Sequence, residues 1–199
     1  MHLAARSLRG AAAAALLVAG SAQAVTVWDE AVNGDFSNDG LATTPVPVQL
    51  AANRIVGMTG DGGQGIDRDY FRFTVPVGAE LKAIKLLDNT QVSGGASFIA
   101  IQAGPQITVT PTGNGVENLL GFAHYGNDQI GTDILPAMAV KFTGALPAGT
   151  YSVWVQDTGG PASYGFEFVI AAVPEPAPAL LLAAGVAVLV VRRRLSGRA

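Results

Sequence analysis

Residues 69–75 read Asp69-Tyr70-Phe71-Arg72-Phe73-Thr74-Val75. Phe71, Phe73 and Val75 share one face of an extended chain, and Arg72 and Thr74 share the other. A side-chain period of two is the mark of a half-buried strand. The same period runs through 149–155, where Tyr151, Val153 and Val155 align, and through 164–170, where Tyr164, Phe166, Phe168 and Ile170 align. Further strand candidates are 54–58, 80–87, 97–102, 106–110, 119–124 and 139–143. Turn clusters separate them, such as Pro76-Val77-Gly78, Gly94-Gly95, Gly113-Asn114-Gly115 and Pro147-Ala148-Gly149. No long internal stretch has a helical period. Eight or nine short strands of this kind predict an all-β, antiparallel β-sandwich. Trp154 points away from Tyr151, Val153 and Val155, so its strand is either buried on both faces or exposes an indole.

The chain has 199 residues, 49% hydrophobic and 14% charged, with 25 Gly, 11 Pro and no Cys. Without Cys there is no disulfide framework, no thiol catalysis and no thiolate metal site. Two His, one of them His2, exclude a multi-His zinc site. A net charge of −3 gives no support to nucleic-acid binding, and no nucleic-acid partner is expected. The mean conceals a partition. Segment 25–172 holds 14 acids against six bases, a net of −8, whereas Arg6, Arg9, Arg192, Arg193, Arg194 and Arg198 lie outside it. An acidic middle stands between two basic, apolar ends.

Those ends read as addresses. Residues 1–24 carry Arg6 and Arg9, an apolar run from Ala11 to Gly20, and Ala22-Gln23-Ala24. This is the pattern of a secretory signal peptide cleaved after Ala24 by signal peptidase, with Ala22 and Ala24 as its small residues. At the other end, Ala177 to Val191 is 15 residues without a charge, followed by Arg192-Arg193-Arg194. As a helix it would be about 22 Å long, short of the roughly 30 Å hydrocarbon core. It is apolar all round, and cationic flanks let a short span snorkel and thin the bilayer. A C-terminal transmembrane helix is therefore expected. Basic residues stay cytoplasmic, which places 25–172 beyond the inner membrane.

Val173-Pro174-Glu175-Pro176, then the apolar span, then the arginines, resembles the PEP-CTERM sorting signal over residues 173–199. That tail occurs on exported proteins of Gram-negative bacteria that make extracellular polysaccharide. The resemblance implies that an exosortase, a membrane-embedded transpeptidase-like enzyme, recognises Pro174, Glu175 and Pro176 and processes the tail. Five residues, Leu195–Ala199, follow the arginines and depart from the pattern. The middle segment carries Asp67-Arg68-Asp69-Tyr70-Phe71-Arg72-Phe73-Thr74-Val75-Pro76-Val77-Gly78, later Leu146-Pro147-Ala148-Gly149-Thr150-Tyr151-Ser152-Val153-Trp154-Val155, then 163–169. This is similar to the bacterial pre-peptidase C-terminal (PPC) domain, with 88–140 departing from it. The similarity implies a jelly-roll-like sandwich and a non-catalytic module.

Several motifs invite chemistry. Gly60-Asp61-Gly62-Gly63-Gln64-Gly65 fits G-x-G-x-x-G, but a strand and not a helix follows it, so no dinucleotide site is expected. Gly62–Asp67 fits one copy of a calcium β-roll repeat, which needs stacked copies to form a core. Asp61, Asp67 and Asp69 are hard oxygen ligands on a Gly-rich loop: they are either candidate calcium ligands or a solvated acidic loop in which Asp and Gly serve turn geometry. Asp29, Glu30, Asp35 and Asp39 form a second, weaker acidic group. His124 has no G-x-S-x-G nucleophile for a triad. Trp28, Tyr125, Trp154 and Tyr164 offer either a sugar-stacking surface or core.

The expectation is an exported, non-enzymatic β-sandwich protein of the cell envelope or extracellular matrix, anchored by its tail before processing. Extracellular polysaccharide is its candidate partner. A calcium- or carbohydrate-binding module and a secreted hydrolase are the alternatives.

Overall fold

The computed structural model describes residues 24–63, 65–174 and Arg193. Ala22, Glu175, Pro176, Arg192, Arg194 and the expected span 177–191 lie outside the described residues. Among the described residues no helix is long and apolar enough to cross a membrane.

Among the described residues nine strands form the body: β1 (Val25–Asp29), β2 (Thr44–Pro45), β3 (Ala52–Asp61), β4 (Ile66–Val75), β5 (Ala79–Leu86), β6 (Ser97–Ala103), β7 (Leu119–Tyr125), β8 (Gly149–Gln156) and β9 (Ala162–Ala172). Two one-turn helices, α1 (Glu30–Asn33) and α2 (Leu135–Met138), sit between strands. The strand order is β5-β9-β3-β4-β8-β6-β7 with every neighbouring pair antiparallel, while β1 and β2 add in parallel to β3 and β4. The fold is all-β.

β3 and β4 pair only at their hairpin end, Gly60 with Asp67 and Asp61 with Ile66. Beyond it they part, and the sheet curls on itself in a sandwich-like way. One half holds β5, β9, β3 and β1, and the other β2, β4, β8, β6 and β7. The alternating apolar faces meet inside. The Phe168 ring lies 6.0 Å from Phe71 and 5.2 Å from Phe73, edge-on in both cases. Phe71, Phe73, Phe166 and Phe168 are all buried, as their shared-face spacing predicts.

Trp154 resolves in favour of a strand covered on both sides. It is buried in a second, outer cluster with Tyr70, Ala100, Ile107, Val109 and Leu119, and its ring stacks on Tyr70 at 5.7 Å. Ile107 and Val109 belong to one of two expected strands that do not form. Segment 106–110 alternates correctly and buries Ile107 and Val109, but it finds no partner ladder. Its amides bond elsewhere, Ile107 N–H to Gly40 O at 2.8 Å and Thr108 N–H to Gln102 Oε1 at 3.1 Å. Pro105 and Pro111 at its borders cannot donate to a ladder. Segment 139–143 likewise makes only one bridge, Gly121 to Ala139, because α2 delivers it across the β7 edge. Arg72 points outward as expected, yet its guanidinium donates to Thr43 O and, at 3.1 Å, to Thr43 Oγ1. It fastens the chain leading into β2 against β4.

Candidate metal centre

The inward face of β4 does not stop at Phe71. Counting back by two from Val75, Phe73 and Phe71 reaches Asp69 and then Asp67. Register alone therefore turns two carboxylates toward the interior. Asp69 is fully buried. Its Oδ2 accepts a 2.7 Å hydrogen bond from the Tyr164 hydroxyl, and its Oδ1 has no hydrogen-bond partner. Asp67 Oδ1 is also buried without a partner.

The N-terminal segment brings two more acids to the same place. Asp29 caps α1, its carboxylate accepting from Ala31 N–H at 3.0 Å, and Gly34 at φ 90° ends the turn. Only a glycine takes that left-handed value without strain. Trp28 stacks on Phe36 at 5.0 Å and Phe36 on Phe71 at 4.8 Å, which pins the turn over the start of β4. Glu30 then reaches inward and accepts from Met58 N–H at 2.7 Å and Phe36 N–H at 3.3 Å. Gly57 makes the room. A Cβ there would overlap the Tyr164 hydroxyl and come within 2.9 Å of Glu30 Cδ.

The outcome is a cluster in which carboxylate oxygens of Glu30, Asp35 and Asp69 lie within 4.8 Å of one another. Asp35 is its exposed member and Asp69 its floor. The electrostatics follow. Burial, reinforced by the Glu30 charge, pushes Asp69 up to about 9 even though the Tyr164 hydroxyl donates to it. Burial pushes Glu30 up to about 7 against the two amides that donate to it, with Asp35 and Asp67 adding to the rise. Asp67 is raised too, chiefly by burial and then by Asp35. Several carboxylates facing one another away from water cannot all be charged unless a cation joins them. Hard carboxylate oxygens from Glu30, Asp35 and Asp69, with Asp67 close by, are the donor set that calcium prefers, and among the described residues the cluster holds no nitrogen or sulfur ligand for a softer metal.

The centre therefore draws on both acidic groups of the sequence. Asp69 joins Glu30 and Asp35, and Asp67 lies close enough to raise Glu30. Asp61 is outside the cluster; its Oδ1 accepts from Gly63 N–H at 2.8 Å and shapes the β3–β4 turn. Asp29 serves as the α1 cap, and Asp39 caps the turn 40–42 by accepting from Leu41 N–H at 2.9 Å. Treating Asp67 and Asp69 as loop residues hid this arrangement, although the β4 alternation already placed them indoors.

No protein-family model and no curated protein matches this chain. The residues themselves carry the functional reading. Tyr125, Trp154 and Tyr164 are buried, which leaves no sugar-stacking surface built from them. His124 is exposed with its ring edge-on to Phe98 at 5.6 Å. The floor of the acidic cluster is closed to a substrate by the full burial of Asp69. One surface hollow, lined by Asn38, Gly62, Gly65, Ile66, Asp67 and Arg68, takes in Asp67 but neither Glu30 nor Asp69.

Proposed function

We propose that the chain is an exported, non-enzymatic β-sandwich protein that carries a structural calcium ion between its N-terminal segment and β4. Glu30, Asp35, Asp67 and Asp69 are the ligands. The observation that carries this reading is the Asp69 carboxylate: fully buried, with one oxygen unpartnered, facing other acids. Left charged it is costly, and a divalent cation satisfies it without protonation. Burial of that carboxylate also weighs against a secreted hydrolase, because an acid–base pair must reach its substrate.

Export and sorting rest on the sequence. Residues 1–24 serve as signal peptide and 173–199 as a PEP-CTERM tail recognised by an exosortase through Pro174, Glu175 and Pro176. The domain belongs with the jelly-roll-like PPC modules and works at the cell envelope or in the extracellular matrix, beside exopolysaccharide. Extracellular calcium modules bind with Kd values of about 10⁻⁴–10⁻³ M, which suits a site with one exposed and two partly exposed ligands.

The test is thermal unfolding of the full chain with calcium and with chelator. Ligand at a hundredfold excess over Kd adds about 2.7 kcal/mol, or roughly 5–10 °C for a domain of this size. Asp69→Asn should abolish that gain. An unchanged Tm at about 100 mM calcium, a hundredfold over the weakest Kd of that range, overturns the reading.

A further inference from the structure

The two poles of the sandwich differ in charge, and β9 ends at the less acidic one. β4 and β9 both run from the metal centre toward a far pole, where Pro76-Val77-Gly78 turns into β5 and β9 ends at Ala172. Val173 closes that pole by donating its amide to Gly78 O at 2.8 Å. The connections gathered there are 43–51, 76–78, 103–106 and 144–149, as the pairings Val75 with Gly149 and Ala103 with Tyr151 require. Those stretches contain no charged residue, while Glu80 beside the 76–78 turn, paired with Ala171, and Glu117 just before β7 are the acids nearest this pole. The opposite pole carries Asp61, Asp67, Asp88, Asp128 and Asp157 on or beside its turns.

Uncharged loops are common, but these also present apolar side chains to solvent. Val77 is 97% exposed, Leu50 57% and Val173 44%. Single exposed apolar residues also occur near the acidic cluster, Val32 at 80% and Met58 at 54%, but here Val77 and Val173 are brought together by the hydrogen bond from Val173 N–H to Gly78 O. The covalent geometry names a partner. Four peptide links separate Val173 from Ala177, where the 15-residue uncharged stretch begins, and they reach at most about 14 Å. The domain is roughly 40 Å across. A leash so short holds the pole that carries Val173 against whatever surface receives the stretch.

We infer that this pole docks on the lipid surface, with Val77, Leu50 and Val173 inserted among the headgroups of the membrane that holds the unprocessed tail. The inference rests on the anchoring reading of residues 177–191. Each headgroup layer is about 5–7 Å thick, a depth that a valine and a leucine on turn tips can enter while the sheet stays in water. The metal centre then faces away from the membrane. From Asp69 to Val75 alone β4 rises about 20 Å.

The chain has no cysteine, which makes single-site labelling clean. Val77→Cys, Leu50→Cys and, at the opposite pole, Thr158→Cys each receive an environment-sensitive fluorophore in the full chain. The labelled chains are reconstituted in phosphatidylcholine–phosphatidylglycerol vesicles that contain a nitroxide-headgroup lipid. All three positions are exposed, so none of the changes disturbs the core. The expected result is blue-shifted emission and several-fold stronger quenching at 77 and 50 than at 158. Chain that floats with the vesicles but is quenched equally weakly at 77 and 158 overturns the docking and leaves the anchor standing. Chain that does not float overturns the anchor and the docking with it.

Discussion

The two ends of β4 lie on one face of one strand and follow opposite rules. Phe71, Phe73 and Val75 fill the space between the two halves of the sheet, where their burial is favourable by itself. Asp69 and Asp67 continue the same inward register into a place where burial is unfavourable unless something else is bound. The apolar end is a fold feature and the acidic end a site feature. A strand that were only structural would have no reason to carry its inward face into buried carboxylates, and local conflict of that kind is where function concentrates.

The apolar end should yield the largest effect. Phe71 touches the Phe36 and Phe168 rings, and Phe166 touches Tyr125, Tyr164 and Phe168. Phe71→Ala or Phe166→Ala should each cost about 3–5 kcal/mol in denaturant melts, out of the roughly 5–15 kcal/mol typical of a domain. Losses below about 1 kcal/mol at both positions would mean that the two halves of the sheet do not share one core.

The acidic end should show itself through pH. Unfolded carboxylates titrate near 4, whereas Glu30 is raised to about 7 and Asp69 to about 9 in the folded protein. Raised groups favour the folded state fully below about pH 4, and that contribution is lost as pH climbs through 7 and toward 9. In chelator, Tm should therefore fall between pH 5 and pH 8. Calcium replaces the protons, so its stabilising effect should be small at pH 5 and large at pH 8. A calcium-free Tm that rises over this interval would place the carboxylates in an ordinary solvated environment.

How far the sequence reaches depends on which interactions a period of two can encode. β4, β8 and β9 were legible because each buries one face against a neighbour with the same alternation. Trp154 stayed open because its cover comes from Ile107 and Val109, in a segment that alternates without pairing. The parallel strands β1 and β2 were not legible. They are short edge additions whose partners lie tens of residues away, and nothing in Val25–Asp29 or Thr44–Pro45 specifies them. The same long-range pairing hid the centre. Asp67 and Asp69 were visible as acids and Glu30 and Asp35 as another group, but β1 beside β3 is what unites them. The one local clue was the unbroken step from Val75 back to Asp67.

The smallest effect is expected where the loop and the site meet. Asp61 is a chemically sound calcium ligand two residues past Thr59, yet the structure gives its carboxylate to Gly63 N–H at 2.8 Å. An asparagine makes the same turn, since its side-chain oxygen accepts that amide equally well. Asp61→Asn should therefore alter stability by no more than about 0.5 kcal/mol, as for a surface change away from special features. It should also leave the calcium-induced rise in Tm intact, in contrast to Asp69→Asn. The pair decides where the ion sits. If Asp61→Asn removes the calcium response and Asp69→Asn keeps it, the ion belongs to the Gly-rich hairpin, and the buried carboxylates hold protons instead. If only Asp69→Asn removes it, the ion joins the N-terminal segment to β4, and the acidic end of that strand is built around it.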